Sequence, residues 1–184
     1  MQLFDTRINM IDSLVLKRGV YAEIGVFAGT FSKTLFEILS PKQLYLLDLF
    51  EGTAVSGDQD GNNLSSINLS DVYKEIVLNP NFTVLKGDSS TRLSELQDSS
   101  IDMVYIDGDH GYEGCMRDLR VAFDKVKCGG WIMGHDYEMN MTKARSSYVF
   151  GVKQAVDEFC STFNQKIVAK GMDGCVSYAI QIVK

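Results

Sequence analysis

The stretch Val20-Tyr-Ala-Glu-Ile-Gly-Val-Phe-Ala-Gly-Thr-Phe-Ser-Lys-Thr-Leu-Phe-Glu-Ile-Leu39 reads as a strand, a turn and a helix. Val20 to Val26 is apolar except for Glu23, while Thr30 to Leu39 places Phe31, Leu35 and Ile38 on one helical face, with Pro41 just beyond its end. Gly25 and Gly29 stand between them. Glycines there let the backbone approach a ligand, and the first N–H groups of the following helix are free to point at it. The spacing is G-x-x-x-G, which departs from the G-x-G-x-x-G of dinucleotide sites, and no Walker pattern occurs. Glu23, at the mouth of the loop, would repel a pyrophosphate but suits a cationic or hydroxyl-bearing ligand. Asp48 follows Gly29 by nineteen residues at the end of the next apolar run, Leu44–Leu49. An acid at that point can accept hydrogen bonds from both hydroxyls of a ribose.

Outward from this unit, strands and helices alternate. Leu3 to Leu16 has helix-like apolar spacing, so residues 1–18 are expected to form an N-terminal helix. Strands are expected at Phe82–Leu85, Ile101–Ile106 and Trp131–Met133, and helices at Tyr112–Val126 and Val149–Phe163. Ile167-Val168 and Cys175–Val183 flank a turn at Gly171–Gly174 and should close the sheet as an antiparallel hairpin. The alternation predicts one α/β domain over residues 1–184, with a doubly wound, mostly parallel, seven-stranded sheet. Residues 51–69, rich in Gly, Asp and Asn, are too long for an ordinary connection and are a candidate lid or substrate loop.

The only two histidines end apolar runs beside carboxylates: Met103-Val-Tyr-Ile-Asp-Gly-Asp-His110 and Trp131-Ile-Met-Gly-His-Asp-Tyr137. The carboxyl ends of strands are where open α/β sheets bind ligands. Asp107, Asp109, His110, His135 and Asp136 should therefore converge on one crevice, able to hold a metal, bind a substrate or move a proton. Asp109 is expected to cap the next helix rather than bind metal. Tyr112 and Tyr137 either shape an acceptor pocket or pack, Trp131 is expected in the core, and Asp157 and Glu158 are expected to be solvated.

With 45% hydrophobic residues the chain can bury a real core. Its formal charge of -6 argues against a broad phosphate-binding surface, so no nucleic-acid partner is expected. No apolar run reaches the roughly 18 residues of a membrane span, and no membrane partner is expected. The four cysteines form no C-x-x-C pair and read as reduced core residues of a cytoplasmic protein. Apolar residues near the N-terminus could support a homodimer or cover the sheet.

In this order the motifs resemble those of the class I S-adenosylmethionine-dependent methyltransferases, from about Val20 to Val183. Glu23-Ile-Gly-Val-Phe-Ala-Gly-Thr-Phe-Ser32 resembles their first motif, Leu44-Tyr-Leu-Leu-Asp48 the second, Lys86-Gly-Asp-Ser89 the third, and Cys128-Gly-Gly-Trp-Ile-Met-Gly134 the glycine-led fifth strand. The resemblance implies a Rossmann-like fold and an S-adenosylmethionine site at Glu23, Gly25, Phe27, Gly29, Ser32, Asp48, Leu49, Gly87, Asp88, Ser89 and Asp107. Tyr105-Ile-Asp-Gly-Asp-His-Gly-Tyr-Glu113 and Gly134-His-Asp-Tyr137 are similar to the macrocin O-methyltransferase and cephalosporin-hydroxylase-like group. That likeness implies methylation of a hydroxyl on a small-molecule acceptor such as a sugar or natural product. It also implies Mg²⁺ or Mn²⁺ at Asp107, His135 and Asp136, although His135 stands where the group has a second acid. Asp107, His110 and His135 are the catalytic candidates, with His110 preferred as base if His135 helps hold a metal. A nicotinamide-dependent oxidoreductase, an inactive methyltransferase-like binding subunit and a nucleic-acid or protein methyltransferase, the nucleic-acid form of which the acidic charge disfavours, are the competing readings. Glu23 and the G-x-x-x-G spacing oppose the first, and the cofactor-site acids oppose loss of cofactor binding.

Overall fold

The computed structural model describes residues 1–50, 78–138 and 150–184. The expected loop at 51–69 lies outside the described residues. The order of elements is β1 (Gln2–Phe4), α1 (Arg7–Leu14), β2 (Val20–Ile24), α2 (Thr30–Leu39), β3 (Gln43–Asp48), β4 (Phe82–Lys86), α3 (Ser89–Ser94), β5 (Ile101–Ile106), α4 (Tyr112–Lys125), β6 (Val126–Glu138), α5 (Val152–Thr162), β7 (Ile167–Gly171) and β8 (Val176–Gln181).

The strands form one sheet in the order β1-β7-β8-β6-β5-β2-β3-β4. Every neighbouring pair is parallel except those made by β8, which runs antiparallel to both β6 and β7. The doubly wound α/β expectation is met, with eight strands among the described residues where the sequence predicts seven. The extra strand comes from the N-terminus. Gln2–Phe4 pairs with Ala169–Gly171, and only Arg7–Leu14 is helical. Thr6 divides the two: its side chain accepts the Asn9 N–H as an N-cap, ending the strand and starting the helix.

Two apolar layers cover the sheet. Met10 and Ile11 of α1 and Leu35 and Leu39 of α2 pack with Tyr21, Leu44, Met103 and Tyr105 on one face. On the other, Leu93 of α3, Cys115 and Leu119 of α4 and Val156 and Phe159 of α5 pack with Ala22, Leu47, Val104 and Ile132. The strands are buried from both sides, which is why they read as continuous apolar runs rather than alternating ones. Trp131 is only partly buried against the first layer. Of the cysteines Cys115 is core, Cys128 is exposed, Cys160 and Cys175 are intermediate, and none is in a disulfide. Met10 and Ile11 cover the sheet, while Leu3, Ile8 and Leu16 are exposed. Among the described residues no helix is long and apolar enough to cross a membrane.

β2 lies between β3 and β5, so the chain departs from it in both directions across the sheet. That reversal opens a crevice at the carboxyl ends of β2 and β5, the usual ligand position in this architecture.

Candidate active site

The loop after β2 forms the floor of the crevice. Gly25 has φ +83°, and a Cβ there would overlap the carbonyl oxygen of Asp107. Only glycine lets the first loop seat directly on the turn that follows β5. The fit is closed by the Asp107 N–H, which donates to the Ile24 carbonyl at 2.8 Å, and the Gly25 N–H, which donates to Leu47 at 2.9 Å. Gly29, with φ +74°, is the N-cap of α2. Phe27 also has positive φ and is exposed, as is Leu49 beyond β3.

Asp48 is tied to the same loop. Its Oδ2 accepts the Val26 and Phe27 N–H groups at 2.8 and 2.9 Å, and its Oδ1 accepts Phe50 N–H at 2.9 Å. This carboxylate therefore shapes the glycine loop, and its remaining lone pairs are those available to ribose hydroxyls. Glu23 is almost fully buried, with no hydrogen-bond partner for Oε2, and burial raises its carboxyl to about pH 8. Ser32 is likewise fully buried, and its hydroxyl faces Glu23, where hydrogen bonding opposes part of the rise caused by burial.

At the third motif, Gly87 N–H donates to the Asp48 carbonyl at 2.9 Å. Asp88 caps α3, accepting from Thr91 N–H, Thr91 Oγ1 and Ser90 Oγ at 2.7–2.8 Å, and these bonds hold it below the usual carboxylate range. Ser89 Oγ donates to Asp118 Oδ1 at 2.6 Å. Asp118, on α4, is buried with Oδ2 unpartnered, and burial pushes it up to about 6.

The expected convergence of β5 and β6 is present. His110 Nε2 lies 3.0 Å from Asp136 Oδ2 and 3.4 Å from Asp107 Oδ1. His135 Nδ1 lies 3.2 Å from Asp136 Oδ1 and 3.8 Å from Asp107 Oδ1. Burial opposes charge on His110, but Asp107 and Asp136 outweigh it and raise the imidazole to about 9. Burial likewise opposes charge on Asp136, yet hydrogen bonds and positive charge from the two histidines hold it far below its ordinary value. Consecutive strand residues normally point to opposite faces. His135 and Asp136 meet because Asp136 has φ +56° and the pairing of β6 with β8 is irregular between Gly134 and Glu138. A buried residue held in the left-handed region is a familiar mark of a functional site.

Asp109 does not cap α4 directly. The cap position is Gly111, whose N–H donates to Asp109 Oδ1 at 2.8 Å, so Asp109 sets the turn before the helix. Among the described residues Asp109 is also in neither of the two groups able to hold a metal. Tyr137 and Tyr112 hold α5 rather than stand alone: their hydroxyls donate to Asp157 and Glu158 at 2.7 and 2.8 Å. Those two acids are thus engaged, not merely solvated.

Sequence reading missed three contributors. Arg7, from α1, places Nη1 3.5 Å from Asp107 Oδ2 and lies over the Phe31 ring at 4.6 Å. Phe150 stacks on His110, with ring centroids 5.1 Å apart. Cys175, before β8, stands beside His135 and Asp136. No periodicity or spacing links these positions to the site, because each arrives from a distant part of the chain.

The model of the methyltransferase domain family matches residues 22–137, more than half of the chain. No curated protein matches the chain. Solved structures of the same fold include an rRNA methylase from Streptococcus thermophilus, with TM-score 0.62 and 10% identity over 96% of this chain and 94% of that one. Aeropyrum pernix fibrillarin, in complex with natively bound S-adenosyl-L-methionine, aligns with TM-score 0.65 and 12% identity over 91% and 68%. The precorrin-6y C5,15-methyltransferase of Geobacter metallireducens aligns with TM-score 0.63 and 16% identity over 96% and 87%. The first of these corrects the exclusion of nucleic acid: a protein described as an rRNA methylase has this fold. A net charge averages over the whole surface, whereas a nucleic-acid partner answers to the local field. With the glycine loop, Asp48 and the strand-end cluster in their places, the chain belongs to the methyltransferase domain family and is an S-adenosylmethionine-dependent methyltransferase.

Proposed function

We propose that the protein transfers the methyl group of S-adenosylmethionine to a hydroxyl oxygen of a small molecule, such as a sugar or a natural product. The acceptor would lie at the Asp107–His110–His135–Asp136 cluster. The observation that carries this reading is the seating of Gly25 on Asp107, which puts the cofactor loop and the acid–imidazole cluster on the same turn. Likeness to the macrocin O-methyltransferase group in the motifs around Asp107 and His135 supports the choice of a hydroxyl.

The reaction is an in-line displacement. The acceptor oxygen bonds to the methyl carbon, the S–CH₃ bond breaks, and its electron pair stays on sulfur as S-adenosylhomocysteine leaves. Holding the two reactants in line removes much of the barrier. In this site Glu23, Gly25, Phe27, Gly29, Ser32, Asp48 and Leu49 would bind the cofactor, with Gly87, Asp88 and Ser89 closing its far end. His110 is assigned the acceptor proton, since it is held by two carboxylates and faces the turn that carries Asp107. Those carboxylates keep the ring protonated near neutral pH. To act as base the ring must first release that proton to solvent, which an acceptor hydroxyl displacing a carboxylate contact would favour; the freed ring nitrogen then takes the hydroxyl proton as the C–O bond forms.

Mg²⁺ fits this donor set poorly. The ion favours octahedral oxygen ligands, and two of the four side chains here are imidazoles. No step is therefore assigned to it.

The test is calorimetric titration with S-adenosylhomocysteine, followed by an acceptor screen that includes hydroxylated small molecules and RNA. Micromolar cofactor binding and turnover on hydroxylated small molecules, lost in His110→Ala with cofactor affinity intact, is the expected result. Full turnover in both His110→Ala and His135→Ala would overturn the proton route. Turnover on RNA alone would overturn the acceptor class.

A further inference from the structure

The side chains around Asp136 form two overlapping sets of metal-capable donors among the described residues. One is Asp107, His110 and Asp136; the other is His135, Asp136 and Cys175, each residue offering one ligand atom within 4.8 Å of the others. The second set has a character that the motifs around the fifth strand do not suggest. It combines an imidazole nitrogen, a carboxylate oxygen and a thiol sulfur. Thiolate is a soft donor that Mg²⁺ does not favour, whereas zinc-class ions bind N, O and S together.

From these positions we infer that His135, Asp136 and Cys175 form a binding site for a thiophilic divalent ion of the zinc class. Zn–N and Zn–O bonds of about 2.0 Å and a Zn–S bond of about 2.3 Å place tetrahedral donors about 3.3–3.6 Å apart. His135 Nδ1 and Asp136 Oδ1 are already at 3.2 Å. Asp136 is buried, His135 and Cys175 are partly so, and a low-dielectric surround strengthens ion binding. Three protein ligands leave one tetrahedral position open, as in zinc sites that also hold a substrate or water. Asp107 Oδ1 lies 3.8 Å from His135 Nδ1, at the edge of this set.

The backbone is arranged for this set. The left-handed turn at Asp136 brings two consecutive strand residues to one point. The β7–β8 connection then delivers Cys175 beside them, immediately before Val176 pairs with Glu138. The site does not depend on which acceptor is methylated, and its three ligands leave out Asp107 and His110 of the neighbouring set.

The experiment uses the full chain stripped with chelator and titrated with Co²⁺ as a spectroscopic stand-in for Zn²⁺. One equivalent should bind with a thiolate-to-cobalt charge-transfer band in the near ultraviolet. Zn²⁺ should displace it stoichiometrically, and a large excess of Mg²⁺ should not. Cys175→Ser should abolish the band and weaken Co²⁺ binding by at least about tenfold, while Cys128→Ser and Cys160→Ser keep both. Binding of S-adenosylhomocysteine by Cys175→Ser shows that the variant is folded and tests the cofactor site separately from the metal. Absence of the band in the wild-type chain, or its persistence in Cys175→Ser, would overturn the assignment.

Discussion

His110 Nε2 lies 3.0 Å from Asp136 Oδ2, so the loop after β5 and the end of β6 are joined through a buried carboxylate. The same carboxylate meets His135 through its other oxygen at 3.2 Å. The first contact joins two separate elements and the second joins consecutive residues across an irregularity in β6, and together they define the chemistry of the cluster.

Removing that carboxylate's charge should be costly. Breaking a buried ion pair by altering one partner is destabilising because the other charge is left uncompensated. His110 is a third exposed, so the expected loss for Asp136→Asn is moderated by solvent, to about 2 kcal/mol. For a chain of this size that is a fall in melting temperature of roughly 4–8 °C. Thermal unfolding at neutral pH checks it; an unchanged midpoint would show that the pair contributes nothing to stability.

Asp48 should matter twice. Asp48→Ala leaves the Val26, Phe27 and Phe50 N–H groups without their acceptor, which should cost about 1–3 kcal/mol. Binding of S-adenosylhomocysteine should fall more than about tenfold, since each charged hydrogen bond contributes on the order of 1.5–3 kcal/mol. Asp48→Asn, which keeps one acceptor oxygen, should lie between the two. Calorimetry and denaturant melts on the same samples separate loop shaping from ligand contact.

Gly25→Ala should be the most damaging single change in the loop. The residue has φ +83°, and its added methyl would overlap backbone of the 107–108 turn, which has no flexible side-chain end to move aside. Loss of cofactor binding together with a lowered melting temperature is the expected outcome. Normal binding by Gly25→Ala would mean that the loop does not seat on Asp107 as described.

Glu23 makes stability depend on pH. Its carboxyl is raised by burial from 4.5 to about 8. In the folded chain it stays neutral to about pH 8, whereas in the unfolded chain it ionises from about 4.5. Its contribution is therefore fully present below about pH 4.5 and is lost as the pH rises toward 8. Glu23→Gln removes the titration, so its melting temperature relative to wild type should climb between about pH 5 and pH 8. A flat difference across that range would show that Glu23 is not held neutral.

Much of the fold was legible because its signals are local. The helix at Thr30–Leu39 and the strand at Ile101–Ile106 match their sequence expectations residue for residue, since buried parallel strands and amphipathic helices write their environment into short windows. The N-terminus departs from its expectation for the same reason. Leu3 to Leu16 has helical spacing, but Gln2–Phe4 pairs with β7, and pairing with a strand more than 160 residues away leaves no trace in a fourteen-residue window. Asp109 misses the cap by a smaller margin: the helix runs from Tyr112 with Gly111 as its N-cap, and the acid sets the turn ahead of it.

By itself the sequence determined the alternation of strands and helices, the glycine loop, and the placing of acids and both histidines at strand ends. These follow from periodicity and from residue types with narrow backbone or chemical preferences. Tertiary structure alone decided that Arg7, Phe150 and Cys175 join the cluster, and that His135 and Asp136 point to the same place. The first depends on chain segments meeting across the sheet. The second depends on a left-handed residue and an irregular register in β6, a local departure from the strand rule that packing against β8 sustains and composition does not announce.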